Sequence, residues 1–246
     1  YTRENEVCYI NSYLKIKKNS IIFSHTDFTD FLFKHLKNKI HLKNLKLITH
    51  WSDTKIDEYN FIKKPDSISN WYGVHINFKN KNLCPIPLGL SGNYSPKNLI
   101  PKYFLNSKPR SKELIKNTLL YINFQKNTNH NERDVLEDMF KEVDWVKIDS
   151  PNLDLNEYLL ALKGAHFVLC PFGNGFDTHR LWETLYAGSI PIVLSHTTYK
   201  CTENLPVLVV KSFQDINQQL LLDTLKEFDK KDFNFDKLKI DYWVDK

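Results

Sequence analysis

Long apolar runs are missing from this sequence of 246 residues. Its most apolar stretches, HFVLCPF, IPIVL and LPVLVV, are far shorter than the roughly 20 residues that a membrane-spanning helix requires. No charged and apolar secretory leader is visible before Tyr1. We therefore predict that no segment crosses a bilayer and that the protein is cytoplasmic, with any membrane contact at the inner face.

Paired cysteines are missing too. The four cysteines (Cys8, Cys84, Cys170 and Cys201) are scattered, with no CxxC pair and no histidine at zinc-ligand spacing, which predicts reduced thiols and no zinc site. No period of 20 to 50 residues repeats, which argues against a solenoid.

Charge is only mildly unbalanced. Lys and Arg total 34 against 29 Asp and Glu, a net charge of +5 that suits an anionic small substrate or an anionic membrane surface. The basic residues form no aromatic-plus-basic stripe and no recognition-helix motif, so we predict no nucleic-acid partner. A hydrophobic content of 41% allows one large core or two small ones.

Strand-like and helix-like segments alternate along the chain. In the first part, strands are predicted at 20–25, 45–53, 68–76 and 83–90, with a helix after the first that Thr26 or Asp27 caps. A stretch rich in Gly, Ser, Asn and Pro at 91–111 has the composition of a linker, after which the alternation resumes. The pattern predicts two α/β domains with parallel sheets, at residues 1–110 and 111–246.

One stretch carries most of the chemistry: HFVLCPFGNGFDTHRLWETLYAGSIPIVL, residues 166–194. An apolar strand runs into a Gly-Asn-Gly loop and then a helix that Asp177 or Thr178 can cap. The free N–H groups of such a helix start favour a phosphate, and Arg180 adds a charged donor fork. Glu183 shares a helix face with Arg180 and could bind a hydroxyl pair.

A simpler interpretation stays open for these residues. Arg180 and Glu183 can instead form a surface ion pair at i, i+3 spacing, worth a few tenths of a kcal/mol. The loop lacks both the GxGxxG fingerprint and the GxxxxGK[ST] phosphate loop, which argues against a dinucleotide oxidoreductase.

The order of features in this stretch, followed by LPVLVV and SFQDI, resembles the carboxy-terminal half of exostosin-like glycosyltransferases. LLYINFQKNTNHNERDVLEDMF is similar to the first strand and helix of that family's donor domain, and LITHWSD, WYGVHI and CPIPLGL are similar to its amino-terminal half. The sequence departs from the pattern at Trp51 and at Val74 and His75, where we expect more polar residues.

The resemblance implies a GT-B architecture, in which two Rossmann-like domains with parallel sheets face a central cleft and the second domain holds a nucleotide-sugar donor. Arg180 would neutralise the diphosphate, the Asn174 and Gly175 amides would bind it, and Glu183 would bind the ribose. The other donor residues that we predict are Thr178, His179, Asn123, Lys126 and Arg133. A surface position at the helix end is an equal alternative for Arg133.

The reaction that the resemblance implies is transfer of a sugar, UDP-linked by analogy, to a glycan acceptor of the cell surface. No Asp-x-Asp pair occurs, so we predict that the enzyme needs no metal and no cofactor besides the donor. We further expect the reaction to invert the anomeric configuration, which requires a base. Candidate bases follow the first two strands: Asp53 and Asp27 first, then His25 and His50. Trp51, Trp71 and Tyr72 could stack on the acceptor, although tryptophans more often pack in cores. The alternative function is a catalytically silent glycan- or nucleotide-binding module of the same fold.

Overall fold

The computed structural model describes residues 2–4, 7–9, 15–105 and 116–244. Its contacts divide the chain into unit 1, Tyr1–Pro87 with His196–Cys201, and unit 2, Leu88–Ser195 with Thr202–Lys246. The boundary predicted between residues 110 and 111 lies outside the described residues, so the predicted domain limits stay a prediction. Residues 88–99 belong to unit 2 because the Leu88 and Leu99 N–H groups donate to carboxylates of that unit.

Unit 1 is built around a parallel sheet of four strands in the order β3-β4-β5-β6. An antiparallel ribbon of β1 (Thr2–Glu4) and β2 (Val7–Tyr9) precedes it. The strands of the sheet are β3 (Ile21–His25), β4 (Leu45–His50), β5 (Ile68–Gly73) and β6 (Leu83–Pro85). Its helices are α1 (Thr29–Leu36) and α2 (Glu58–Ile62).

The core of unit 1 follows from its apolar spacing. Alternate residues of β4 are buried, and α1 turns Leu32, Phe33 and Leu36 towards the sheet. A turn of 3₁₀ helix at Thr26–Phe28 precedes α1. The predicted caps, Thr26 and Asp27, are therefore wrong: the imidazole of His25 caps the 3₁₀ turn, and α1 starts without a side-chain cap.

Unit 2 contains a parallel sheet of five strands in the order β11-β10-β9-β7-β8. The strands are β7 (Thr118–Ile122), β8 (Val146–Ile148), β9 (Ala165–Leu169), β10 (Ile190–Leu194) and β11 (Leu208–Val210). The helices are α3 (Pro101–Leu105), α4 (His130–Phe140), α5 (Leu155–Gly164), α6 (His179–Ala187), α7 (Gln218–Phe228) and α8 (Ile240–Val244). β9 and β10 are almost wholly buried, as expected for parallel strands covered on both faces.

The strand order of unit 2 reverses next to β7. From β7 the chain goes to β8 on one side and then to β9 on the other. In open parallel sheets, ligands bind at the carboxyl ends of the two strands that flank such a switch point. The predicted fold class is confirmed as α/β with two parallel sheets, consistent with Rossmann-like units. Among the described residues, no helix is long and apolar enough to span a bilayer.

Candidate functional site

The loop between β9 and α6 is a tight turn at the switch point. The Gly173 N–H donates to the Gly175 carbonyl at 3.0 Å. A Cβ at Gly173 would lie 3.2 Å from Arg133 Nη2, a tight contact, and 3.5 Å from Thr178 Cγ2, an ordinary one. Glycine at 173 therefore lets the loop pack directly against the arginine of α4.

Helix α6 begins without a side-chain cap. Thr178 occupies the N-cap position with extended backbone, but its side chain makes no capping hydrogen bond. Its Oγ1 is buried and has no hydrogen-bond partner among the described residues. Asp177, the other predicted cap, accepts instead from the Leu88 N–H and the Trp182 Nε1–H. The first turn of α6 thus keeps the free N–H groups and partial positive charge that attract an anion.

Two guanidinium groups lie near this helix start. Arg133 on α4 and Arg180 on α6 both contact the Phe124 ring, with Cζ atoms 5.4 and 6.0 Å from its centroid. Arg133 is buried and donates to the carbonyls of Gln125 and Phe172. Burial and then the charge of Arg180 lower the pKa of Arg133 to about 10. The site therefore holds two cations that repel each other.

Arg180 itself lacks a carboxylate partner. No ion pair joins it to Glu183 or to another acidic residue in the described part of the chain, so the i, i+3 surface pair does not form. Its Nε is buried and has no hydrogen-bond partner there. A buried donor of a charged group left in this state is costly unless a ligand supplies the acceptor.

Glu183 is turned into the protein. Its side chain is buried, Oε1 accepts from the Leu99 N–H at 2.9 Å, and Oε2 accepts from the Tyr158 hydroxyl at 3.1 Å. Burial raises the pKa of Glu183, and the charge of Arg180 opposes that rise. Both oxygens already have a protein partner, and the ribose contact stays a prediction.

The remaining predicted donor residues have mixed surroundings. Asn123 is buried and donates to the Ser150 carbonyl at 2.7 Å, and Lys126 pairs with Glu137 at 3.1 Å. The His179 Nδ1–H donates to the Gly89 carbonyl at 2.8 Å. The structure thus brings together Arg133, Thr178, Arg180 and the loop at Gly173, Asn174 and Gly175.

Asp177, beside this site, should make the stability of the fold depend on pH. Burial raises its pKa to about 6, against 3.8 for an ordinary aspartate. Because the folded pKa is the higher one, its contribution to stability is fully present below pH 4 and is lost as the pH rises through 6. That loss should amount to about 3 kcal/mol.

We expect Asp177→Asn to flatten this pH dependence. The free energy of unfolding in urea, measured between pH 4 and 7, should fall with pH in the unchanged protein more steeply than in the variant. The slope is the informative quantity, since the amide also breaks a hydrogen bond at every pH. Parallel pH profiles would contradict the raised pKa of Asp177.

In unit 1, Asp27 is already engaged by hydroxyl groups. Its Oδ1 accepts from Ser52 and from Thr54, the latter at 2.6 Å, and its Oδ2 lies 3.6 Å from His25 Nδ1. These contacts connect the segments that follow β3 and β4 at the carboxyl edge of the sheet. Asp27 is thus a fixed carboxylate at this edge.

Asp53 is more accessible than Asp27. Its side chain is 61% exposed, and Oδ1 lies 3.9 Å from Nε2 of the buried His75. His75 has a left-handed backbone with φ of 55°, which is uncommon for a residue other than glycine. The two side chains form a carboxylate–imidazole contact at the carboxyl edge of the sheet.

His50 is held by contacts on both ring nitrogens. Its Nδ1 accepts from the Trp51 N–H at 2.8 Å, so its Nε2, 3.3 Å from the Pro87 carbonyl, must carry the proton and donate. A ring in this state has no lone pair left to accept a substrate proton without breaking a bond. This arrangement argues against His50 as the catalytic base. His50 and His25 are the candidates that we rank after Asp53 and Asp27.

The three predicted acceptor aromatics differ in exposure. Trp51 is 63% exposed, has φ of 65°, and packs edge-to-face on the exposed Phe23 ring at 5.2 Å. Trp71 is fully buried in the core, where its Nε1–H donates to Thr49 Oγ1. The stacking role predicted for Trp71 is therefore corrected, since no sugar can reach it. Tyr72 is partly buried.

The described residues contain free thiols but no cluster of side chains that could hold a metal ion. Cys84, Cys170 and Cys201 are free thiols. Residues 15–105 and 116–244 contain no group of three or more His, Cys, Asp or Glu side chains that could hold a metal ion.

Residues 111–222 match the family model of the RXYLT1 C-terminal domain. This span includes Arg133 and Arg180. At the level of the family, the match supports glycosyltransferase activity in general. A search of curated proteins gave no match.

Among solved structures, one titled "Crystal structure of GtfA/B complex" is similar with a TM-score of 0.39 and 11% identity. The similarity covers 91% of this chain, which spans 52% of that one.

Sequence reasoning missed several residues of these sites. Phe124, which contacts both guanidinium groups, and Tyr158, which donates to Glu183, were not predicted, and Asp177 was predicted only as a helix cap although it accepts from the Leu88 N–H. Phe124 could have been noticed, because it lies two residues after the first strand of unit 2, where a ligand site is expected. The partners of Asp177 and Glu183 are about 90 and 25 residues away, and no local pattern indicates them.

Proposed function

We propose that this chain is a glycosyltransferase that moves a sugar from a UDP-linked donor to a glycan acceptor, with inversion and without a metal. Unit 2 binds the donor diphosphate in this proposal. One observation carries this proposal: the Nε of Arg180 is buried at the uncapped start of α6 and has no hydrogen-bond partner among the described residues. A diphosphate would supply the acceptor oxygens that this donor lacks.

The charge balance of the site supports an anion with more than one negative charge. Arg133 lies close enough for Arg180 to lower its pKa, and Arg133's own hydrogen bonds go to uncharged carbonyl and hydroxyl oxygens. A diphosphate would relieve the repulsion between the two guanidinium groups, whereas a neutral ligand would not. The position at the switch point of the sheet supports a nucleotide ligand as well.

The leaving group would be stabilised by fixed charge. Sugar transfer from a nucleotide sugar develops negative charge on the departing diphosphate, and preorganised donors stabilise such charge. Arg180 and the N–H groups of α6 supply those donors. We propose that this arrangement takes the place of a metal, in keeping with the missing Asp-x-Asp pair in the sequence.

Unit 1 would provide the acceptor residues and the base. The exposed Trp51 has a left-handed backbone, a conformation that is costly for a bulky residue and that occurs frequently at functional sites. An aromatic ring held in this way is a suitable platform for the apolar face of a sugar. Asp53 and Asp27, at the same edge of the sheet, are the carboxylates that could accept the acceptor's proton.

A panel of nucleotides tests the proposal. UDP, at about 100 times its dissociation constant and with EDTA present, should stabilise the fold by about 2.7 kcal/mol and raise the melting temperature by several degrees. Dinucleotides such as NAD should give no shift. A shift with UDP but no transfer from any UDP-sugar to glycan acceptors would favour the binding module, and a UDP shift that requires manganese would overturn the metal-free site.

Glu183→Gln tests the ribose contact. If Glu183 accepts from the ribose hydroxyls, the variant should bind UDP roughly tenfold more weakly, the cost of about one charged hydrogen bond, and bind pyrophosphate unchanged. Calorimetry with both ligands measures the difference. Tyr158→Phe is the matched control, since it removes a protein partner of Glu183 and leaves the carboxylate. Equal losses for both ligands in Glu183→Gln would indicate a structural role for Glu183 through Leu99.

A further inference from the structure

Lysines concentrate at one edge of unit 1. Residues 15–46 contain eight lysines and two aspartates and no other Asp, Glu or Arg, so the net charge of this segment, +6, exceeds the +5 of the whole chain. Its lysines precede β3, lie on α1 and in the connection to β4, or, for Lys46, lie near the start of β4, at the amino-terminal edge of the sheet. The Asn19 N–H donates to the Lys43 carbonyl at 3.0 Å and joins the two loops.

These lysines surround a depression of about 990 Å³ between α1, the α1–β4 connection and the α2–β5 connection. The lysines that line it are Lys34, Lys37, Lys39, Lys43, Lys63 and Lys64. Two aspartates, Asp30 and Asp66, also line it. A clear excess of positive charge therefore faces solvent at this edge.

Most of this charge is not paired within the protein. Lys63 pairs with Asp30 at 2.9 Å, but Lys34, Lys37, Lys39 and Lys43 are exposed and have no carboxylate partner in the described part of the chain. The positions of Lys34 and Lys37 are explained by the favourable interaction of a positive charge with the carboxyl end of the α1 helix dipole. It does not explain Lys39 and Lys43, which follow the helix in the loop.

Aliphatic side chains project from the same edge. Ile40 lies in the α1–β4 loop between these lysines and is 87% exposed, and Ile62 at the end of α2 is 69% exposed. Each could have been a polar residue at no cost to the core. Basic residues that surround exposed aliphatic ones match a lipid interface, where lysines attract anionic headgroups and apolar side chains enter the acyl boundary.

We propose that this edge, the lysine edge, docks on an anionic lipid bilayer with Ile40 and Ile62 inserted. A soluble polyanion would use the lysines but would leave two isoleucines in water. Docking through the amino-terminal edge leaves the opposite edge of the same sheet, where Asp27 and Asp53 lie, turned away from the lipid. The proposal does not depend on the proposed function.

Vesicle co-sedimentation tests the proposal with the full chain. The protein should bind vesicles of phosphatidylcholine mixed with phosphatidylglycerol and should not bind vesicles of phosphatidylcholine alone. The triple variant Lys37→Ala, Lys39→Ala, Lys43→Ala should bind the anionic vesicles about 100-fold more weakly. The matched control removes the same charge from unit 2, where Lys226, Lys231 and Lys239 pair with carboxylates, and it should bind nearly as the unchanged protein does.

Ile40→Ser separates a bilayer from a soluble polyanion. The variant keeps every charge but loses the inserted side chain, so its vesicle binding should fall roughly tenfold while its binding to heparin is unchanged. Because Ile40 is exposed, the melting temperature should stay the same. Unchanged vesicle binding by Ile40→Ser, equal losses in the two lysine triples, or binding to neutral vesicles would each overturn the proposal.

Discussion

Replacing Arg180 with alanine should abolish sugar transfer and weaken UDP binding by about 100-fold or more, because a charged donor paired with a diphosphate in a buried site is worth several kcal/mol. The fold should survive the change. The Nε of Arg180 makes no hydrogen bond within the described residues, and its charge acts against that of Arg133. Arg180 also offsets the buried charge of Glu183, so the free variant should melt slightly lower than the unchanged protein, and its response to UDP should disappear.

Arg133→Ala is the matched control for that experiment. Arg133 belongs to the same site, but it donates to the Gln125 and Phe172 carbonyls and to Thr128 Oγ1. Its loss leaves buried carbonyls unsatisfied and should lower stability by about 2 to 4 kcal/mol, in addition to any effect on UDP. Isothermal calorimetry with UDP and a melting curve for each variant separate the two roles. An Arg180→Ala variant that binds UDP as tightly as the unchanged protein would contradict the assignment of the donor phosphate.

Much of unit 2 follows from local sequence. β7, β9 and β10 are short apolar segments bounded by turn residues, and the strand-loop-helix order around Gly173 places Arg180 at a helix start. These features depend on neighbours within a few residues, which is why sequence predicts them. The second guanidinium group was indicated only by the family resemblance and not by local spacing. Arg133 lies 47 positions before Arg180 in the sequence, and only the pairing of β7 with β9 brings α4 and α6 to the same place.

The face on which a side chain lies was harder to predict. Trp71 and Tyr72 are adjacent in β5 and point to opposite faces, but both are aromatic, so the alternation of ISNWYG does not show which is buried. The structure buries Trp71 against Phe33 and leaves Tyr72 partly exposed. Glu183 poses the same problem on α6. Its spacing from Arg180 is correct for a shared face, yet packing against Tyr158 and residue 99 turns it inward.

The catalytic base should be Asp53. It follows β4, its side chain is 61% exposed, and its Oδ1 lies 3.9 Å from His75 Nε2, an imidazole that can orient it. Asp27 has less freedom, since Ser52 and Thr54 already donate to one of its oxygens. Asp53→Asn should therefore lower kcat by about 10² to 10⁴, the usual contribution of a general base, with UDP affinity unchanged.

Asp27→Asn is the control variant with which the kcat of Asp53→Asn should be compared. An amide at 27 can still accept from one hydroxyl, so we expect a loss of about 1 kcal/mol in stability and a kcat that falls much less than in Asp53→Asn. Steady-state kinetics on both variants, corrected for the folded fraction, provide the comparison. A larger loss of kcat in Asp27→Asn would move the role to Asp27. If both variants turn over normally, His25 is the remaining candidate, because both nitrogens of His50 already have partners. His25 lies next to Asp27 and is only partly buried, so His25→Gln would then have to reproduce the loss for an inverting, base-assisted reaction to stand.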